Sequence, residues 1–348
     1  FVPEPYLELT ATFTRYKGRW FDPARRGEGA AAFRIDPARR EEFERLRDEL
    51  KGKMGEVIQV DSEERTFKPP QLYDLTSLQR DANRILGFSA SKTLRIAQNL
   101  YEKRKVITYP RTDSRYLSHD LYKTLKTRLS KLTGGPWEPF ATQAMASERK
   151  LGGRVVNDAR VTDHHAIIPT SEFVKQGFTG LAESECKLMN LVCSKLLCAV
   201  AAPHEYETVT AVFSCAGNEF TAKGKTVLVP GWKEIDQRFR STLKADTEEE
   251  VLNTLPELAE GQSFSVTANV SEHFTSPPKA YTEDTLLSAM EPGPRICRRT
   301  QSARGWALPP PAPQLWKSWF KWALCSARAS SLSPPRTASI WRWFCRKV

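Results

Sequence analysis

No stretch of the sequence approaches the roughly 20 consecutive apolar residues that a membrane-crossing helix requires, so no membrane partner is expected for this 348-residue chain. No two of its seven cysteines form a Cys-x-x-Cys pair. Cys186, Cys193 and Cys198 fall in one apolar helical run and read as buried thiols. Their spacing suits neither zinc nor a disulfide framework, which points to a reducing compartment. The five histidines are scattered and the carboxylates follow no metal-ligand spacing, so no metal site is expected in the chain. Acids are missing altogether from the last 57 residues: Pro292–Val348 holds eleven Lys and Arg and no Asp or Glu. The remaining 41 basic residues are matched by all 41 acids, so the net charge of +11 belongs wholly to that tail. It is no argument for nucleic-acid binding by the rest. An initiator Met and a signal-peptide pattern are also missing at Phe1-Val2-Pro3, and the chain reads as one part of a larger one.

The length predicts two or three domains. Residues 4–22 alternate apolar and polar side chains and predict strand. Glu41 to Leu50 is a charged amphipathic helix, and Gly55 to Phe67 is strand-like up to the Pro69-Pro70 break. One helix is predicted from Thr76 to Leu86, ending at Gly87. A second follows Ser89 as N-cap and runs to Lys103, with Leu94, Ala97, Leu100 and Tyr101 at helical spacing. A short strand over Lys105–Thr108 leads into Tyr109-Pro110, and a helix follows over roughly 119–132. Residues 133–160 predict a loop, and Leu181 to Ala201 an apolar helix. Strand character returns from Glu205 to Phe274, interrupted by the solvated run Asp246–Glu250. Strands, helices, strands is the order of a sheet domain with a helical domain inserted, an α+β class.

The chemistry concentrates in Ile107-Thr108-Tyr109-Pro110-Arg111-Thr112-Asp113-Ser114-Arg115-Tyr116-Leu117. A proline after the tyrosine fixes the turn, and an arginine stands two residues on. A free phenol has a pKa near 10, so about one in a thousand is ionised at neutral pH; a neighbouring guanidinium favours the phenolate. The same guanidinium can grip a phosphate with two hydrogen bonds and stabilise a pentavalent transition state. That is the minimum set for a tyrosine attacking a phosphodiester. For an arbitrary Tyr-x-Arg the plain alternative, a strand exit, would win; the eleven-residue string carries the stronger reading.

That string resembles the active-site motif of type IA DNA topoisomerases, and proline after the tyrosine resembles the topoisomerase III branch. Three further stretches agree in order. Pro69-Pro70-Gln71-Leu72-Tyr73-Asp74-Leu75-Thr76-Ser77-Leu78-Gln79, with Gly87-Phe88-Ser89-Ala90, is similar to the segment before the nucleophile. Thr162-Asp163-His164-His165-Ala166-Ile167-Ile168-Pro169-Thr170 is similar to the second phosphate-contacting motif. Ser276-Pro277-Pro278-Lys279-Ala280-Tyr281-Thr282-Glu283-Asp284-Thr285-Leu286-Leu287 is similar to the return into the DNA-binding base. The resemblance covers about residues 1–291. It implies Tyr109 as nucleophile and Arg111 as the residue that steadies the scissile phosphate. Thr112 and Asp113 would order the site on DNA, and His164 would touch a nearby phosphate. Gln79 would meet DNA, with an exposed helix residue as the plain alternative. His165 is left open between a phosphate contact and a structural histidine.

The resemblance further implies a β-rich gate domain in two parts, residues 1–68 and 204–275. A helical domain at 69–203 carries the tyrosine, and the start of a DNA-binding base lies at 276–291. It implies magnesium held by residues of an acidic N-terminal domain outside this chain, single-stranded or negatively supercoiled DNA as partner, a monomer, and the bacterial cytoplasm around the nucleoid. With that domain outside the chain, the fragment alone is expected to be inactive; a truncated single-stranded DNA-binding module and an inactive gene remnant are the alternatives. Residues 292–348, with six of the nine tryptophans and no acids, depart from the family. A one-base shift there yields a string similar to the family's next motif, so an out-of-frame, poorly ordered tail is expected.

Overall fold

The computed structural model describes residues 1–290 apart from 15, 26–27, 131, 133–136, 147–150, 162 and 244–257. The expectations for the tail, for Asp246–Glu250, for Thr162 and for Cys297, Cys325 and Cys345 therefore lie outside the described residues. Pro3–Thr285 forms one compact unit, and its class is α+β.

Six antiparallel strands close into a barrel in the order β1-β2-β5-β4-β3-β6. They are β1 (Pro5–Phe13), β2 (Tyr16–Trp20), β3 (Met54–Phe67), β4 (His204–Cys215), β5 (Asn218–Val229) and β6 (Ser263–Phe274). The alternation in β1 turns Leu7, Leu9, Ala11 and Phe13 inward. They meet Val57, Ala211, Phe213, Phe220 and Val266 in one core. Phe13 and Phe213 stack there with ring centroids 4.2 Å apart. Gly55 makes room for that stack, because a Cβ at this position would lie 2.5 Å from the Phe13 ring. Helix α1 (Arg40–Leu50) adds Phe43 and Leu50 to the same core, with Trp20 edge-on to Phe43 at 4.8 Å. The two groups of strands read from the sequence thus pair with each other, β1 with β6 and β3 with β4.

A second core is helical. Helix α2 (Leu75–Leu86) starts at a reciprocal cap between Asp74 and Ser77 and stops at Gly87, which takes φ of 66°. Helix α3 (Ala90–Glu102) starts at Ser89, whose hydroxyl accepts from Lys92 N. Four further helices follow: α4 (His119–Lys123), α5 (Leu125–Ser130), α6 (Glu138–Ala146) and α7 (Ser171–Gln176). Helix α8 (Glu183–Val200) is the centre of this core. Leu188, Met189, Leu191, Val192, Leu196 and Leu197 are all buried along it, so it is apolar nearly all round, as a helix inside a bundle must be. Each such side chain contributes about 1.5–3 kcal/mol of burial. Helix α9 (Trp232–Thr242) packs Ile235 and Phe239 into this core from between β5 and β6. Helix α10 (Glu283–Met290) ends the described chain.

Several sequence expectations are corrected. Residues 4–22 are a hairpin rather than one strand, turning at Thr14 with φ of 56°. Lys105–Thr108 is extended but forms only one isolated bridge, Ile107 to Pro169. The 119–132 helix is two helices that meet at Thr124, whose hydroxyl donates to the Leu121 carbonyl at 2.9 Å. The 133–160 loop contains α6, which buries Phe140 and Ala141 beside Trp137. The second strand stretch is interrupted by α9.

Candidate active site

Three stretches of chain are laced together beneath Tyr109. Ile167 N donates to the Tyr73 carbonyl at 2.8 Å, and Thr108 N to the Ile168 carbonyl at 3.0 Å. The Thr108 hydroxyl accepts from Ile168 N and donates to the Ala166 carbonyl, both at 3.0 Å. Leu75 N donates to the Thr112 carbonyl at 3.0 Å, and Ala166 N to the Tyr116 carbonyl at 2.9 Å. Every one of these partners is distant in sequence. The segments that carry Tyr109 and His164 are therefore fixed by tertiary hydrogen bonds rather than by a sheet.

Tyr109 is half-buried and opens onto a cleft of about 280 Å³ lined by Gln98, Tyr101, Glu102, Pro110 and Arg111. Its ring lies 4.2 Å from that of His164, tilted by 37°, and 5.4 Å from that of Tyr101, nearly perpendicular. Two rings thus limit the rotation of the phenol and leave its edge at the cleft. Arg111 is exposed. With its amide oxygen turned toward the guanidinium, Gln98 accepts from Arg111 Nη2 at 2.6 Å and from Nε at 3.3 Å. Sequence reasoning missed Gln98. Its signal was helical phase: Gln98, Tyr101 and Glu102 share one face of α3 at the i, i+3, i+4 spacing.

The other site residues separate into near and far. His164 is exposed beside the tyrosine. Thr112 is buried, and its hydroxyl donates to the His164 carbonyl at 3.2 Å and accepts from Ser114 N at 3.1 Å. It ties the tyrosine segment to the histidine segment and has no surface to offer DNA. Asp113 is exposed, with no side-chain hydrogen bond among the described residues. Gln79 is not part of the cleft lining; its amide donates to the Ala90 carbonyl at 3.1 Å and joins α2 to α3. His165 is half-buried, with Nδ1 2.8 Å from the Ala166 carbonyl. Burial pushes its pKa down, aided by the nearby Arg128 and His164, against that hydrogen bond. The ring is therefore neutral at neutral pH, which fits a structural histidine.

A charged network joins Tyr73, α2 and α8. Tyr73 Oη donates to Asp81 at 2.8 Å, and Lys195 Nζ lies 2.8 Å from the same carboxylate. Burial opposes ionisation of Asp81, but Lys195, Arg84 and the Tyr73 hydroxyl outweigh it and hold its pKa at about 2. Arg115 Nε donates to the buried Asp74 at 2.6 Å. Among the described residues no group of three or more His, Cys, Asp or Glu is placed to hold a metal ion.

A family model described as DNA topoisomerase matches residues 1–293. The chain belongs to the type IA DNA topoisomerases. Among its relatives, the DNA topoisomerase 3 of Bacillus licheniformis is 39% identical over 292 residues, which are 84% of this chain and 38% of that protein. The DNA topoisomerase 3 of Bacillus subtilis is 38% identical over 293 residues, 84% of this chain and 39% of the relative. The similarity is thus to bacterial topoisomerase III, and this topoisomerase chain spans less than two fifths of those relatives' length. In fold it is similar to full-length topoisomerase I from Thermotoga maritima, with a TM-score of 0.58 at 24% identity over 84% of this chain and 44% of that one.

Proposed function

We propose that Tyr109 is the nucleophile with which a topoisomerase containing this chain and the family's acidic domain cuts and rejoins one DNA strand through a covalent link to a 5′ phosphate, so that another strand can pass. The observation that carries the reading is the phenol of Tyr109 at an open cleft, beside an arginine that Gln98 holds in place. In the cutting step the Tyr109 Oη–phosphorus bond forms and the bond to the 3′ oxygen breaks. The phenol gives up its proton and the departing oxygen gains one. One phosphodiester replaces another, so the reverse step reseals the strand without ATP. Arg111 stabilises the charge that gathers on the phosphoryl oxygens, and His164 stands where it can touch an adjacent phosphate. Thr112 positions both segments from beneath.

Gln79 and Asp113 have weaker claims. The Gln79 amide is spent inside the helical core, and Asp113 would repel a phosphate unless DNA approaches from its far side. Magnesium is implied by the family, and the described residues offer it no seat. The barrel acts as the hinge on which the helical part swings, and the partner is single-stranded or negatively supercoiled DNA in the bacterial cytoplasm. A suicide oligonucleotide with a radiolabel tests the reading. Covalent label that disappears in Tyr109→Phe supports it. Salt-sensitive retention without covalent label would instead assign this chain a binding role alone, and label that survives the substitution would overturn Tyr109.

A further inference from the structure

A second cleft of about 220 Å³ is lined by Arg80, Arg115, Arg154 and Lys195, with Ser77 and Asp81. The four cations come from α2, from the segment after Tyr109, from the stretch ahead of Val155 and from α8. Only the fold brings them together. Three of them are backed by carboxylates: Arg80 by Asp284 at 2.8 Å, Arg115 by Asp74 at 2.6 Å and Lys195 by Asp81 at 2.8 Å. In each pair the acid side chain is the more deeply buried partner, at 17% against 28%, 10% against 31% and 15% against 20% exposed. The cation is thus the more exposed partner of each pair, and Asp81 is the one acid in the lining. Arg154 is exposed at the rim and makes no ion pair among the described residues.

The lining residues present no open aromatic face to a base. Tyr73, the one aromatic among them, is 1% exposed, and the Lys195 ammonium lies 4.6 Å above its ring. Held cations can grip phosphate, the contact that positions nucleic acid without reading its sequence. Arg115 follows Tyr109 by six residues, so the chain places the two within about 20 Å of each other. We propose that this cleft is a second seat for DNA phosphate, separate from the Tyr109 cleft, which grips nucleic-acid backbone without reading bases. The proposal rests on the assignment of DNA as the substrate. The phosphate belongs either to the strand held at Tyr109 or to a second strand.

Arg154 is the residue to test, because its loss strands no buried carboxylate. Binding of the full chain to single-stranded DNA is followed by fluorescence anisotropy across a salt series, for wild type, Arg154→Ala and Arg154→Lys. One lost phosphate contact on a single strand reduces the slope of log affinity against log salt by about 0.7. The alanine variant is expected to show that reduction and a several-fold loss at low salt, while the lysine variant keeps the wild-type slope. An oligonucleotide too short to reach both clefts distinguishes the sources. Loss of the Arg154 effect on it assigns the same strand, and persistence assigns a second one. An alanine variant that binds as wild type does, with the same slope, overturns the proposal. So does a lysine variant as weak as the alanine one, since charge would then not be the cause. A wild-type chain that does not bind DNA at all would overturn the substrate assignment itself, a failure distinct from either.

Discussion

Replacing Asp81 by asparagine removes the centre of the charged network that joins α2 to α8, and the structure sets the size of the effect. Asp81 is 15% exposed, and its carboxylate takes the Tyr73 hydroxyl, the Lys195 ammonium and Arg84 at 2.8, 2.8 and 2.5 Å. Its pKa is held at about 2 against an ordinary 3.8. Because the folded state binds this proton more weakly than the unfolded chain, the ionised carboxylate stabilises the fold by about 2 kcal/mol. That stabilisation is complete above about pH 4 and disappears as the pH falls from there through 2. The asparagine also leaves Lys195, itself only 20% exposed, without its anion, and breaking a buried pair costs about 3–5 kcal/mol. A neutral-pH loss of about 2–4 kcal/mol is expected, together with a shallower decline of stability between pH 4 and 2. Urea unfolding followed by circular dichroism at a series of pH values measures both. If the wild type and Asp81→Asn lost stability in parallel between pH 4 and 2, the carboxylate would not be the titrating group, and the argument would be refuted.

Two further outcomes are expected. Gln98→Ala frees Arg111 from two hydrogen bonds; charge-assisted bonds of this kind are worth about 1.5 kcal/mol, so covalent trapping of the suicide oligonucleotide falls about tenfold. In an Arg111→Ala background the same change has little effect, and equal losses in both backgrounds would show that Gln98 acts through something else. Gly231→Ala places a Cβ 2.1 Å from the Pro203 carbonyl oxygen at a residue with φ of 53°, which costs about 2–4 kcal/mol; an unchanged urea midpoint contradicts this.

Local chemistry explains which parts of the fold were legible beforehand. Helices α2 and α3 were readable because their ends are written into neighbouring residues: the Gly87 stop and the Ser89 cap both act within one turn. The extended stretch before Tyr109 was misread as a strand, because its partners are Ile168 and Thr170, about sixty residues away. A local pattern reports an extended backbone but not what it pairs with. Helix α6 was hidden by Gly134-Gly135-Pro136, and α9 by the strands on either side. Ile235 and Phe239, four apart, were the overlooked sign of α9. Tyr109 and Arg111 line one cleft, and the His164 ring lies 4.2 Å from that of Tyr109. The partner that holds the arginine could not be found by motif, since a glutamine on a helix announces nothing until the fold supplies its neighbour.

Phe67 and His204 face each other on adjacent strands of the barrel, and Glu205 faces Val229 on the next. Everything between residues 67 and 204 therefore leaves and re-enters at a single rung, and the excursion through α9 departs from the rung beside it. The helical part is a cassette on a narrow stalk. A tight turn could replace the first excursion without disturbing any ladder of the barrel. What would remain is a barrel closed by two short seams, Arg19–Trp20 on β5 and Met54–Glu56 on β6, provided that Ile235 and Phe239, stripped of their cover, were exchanged for polar residues.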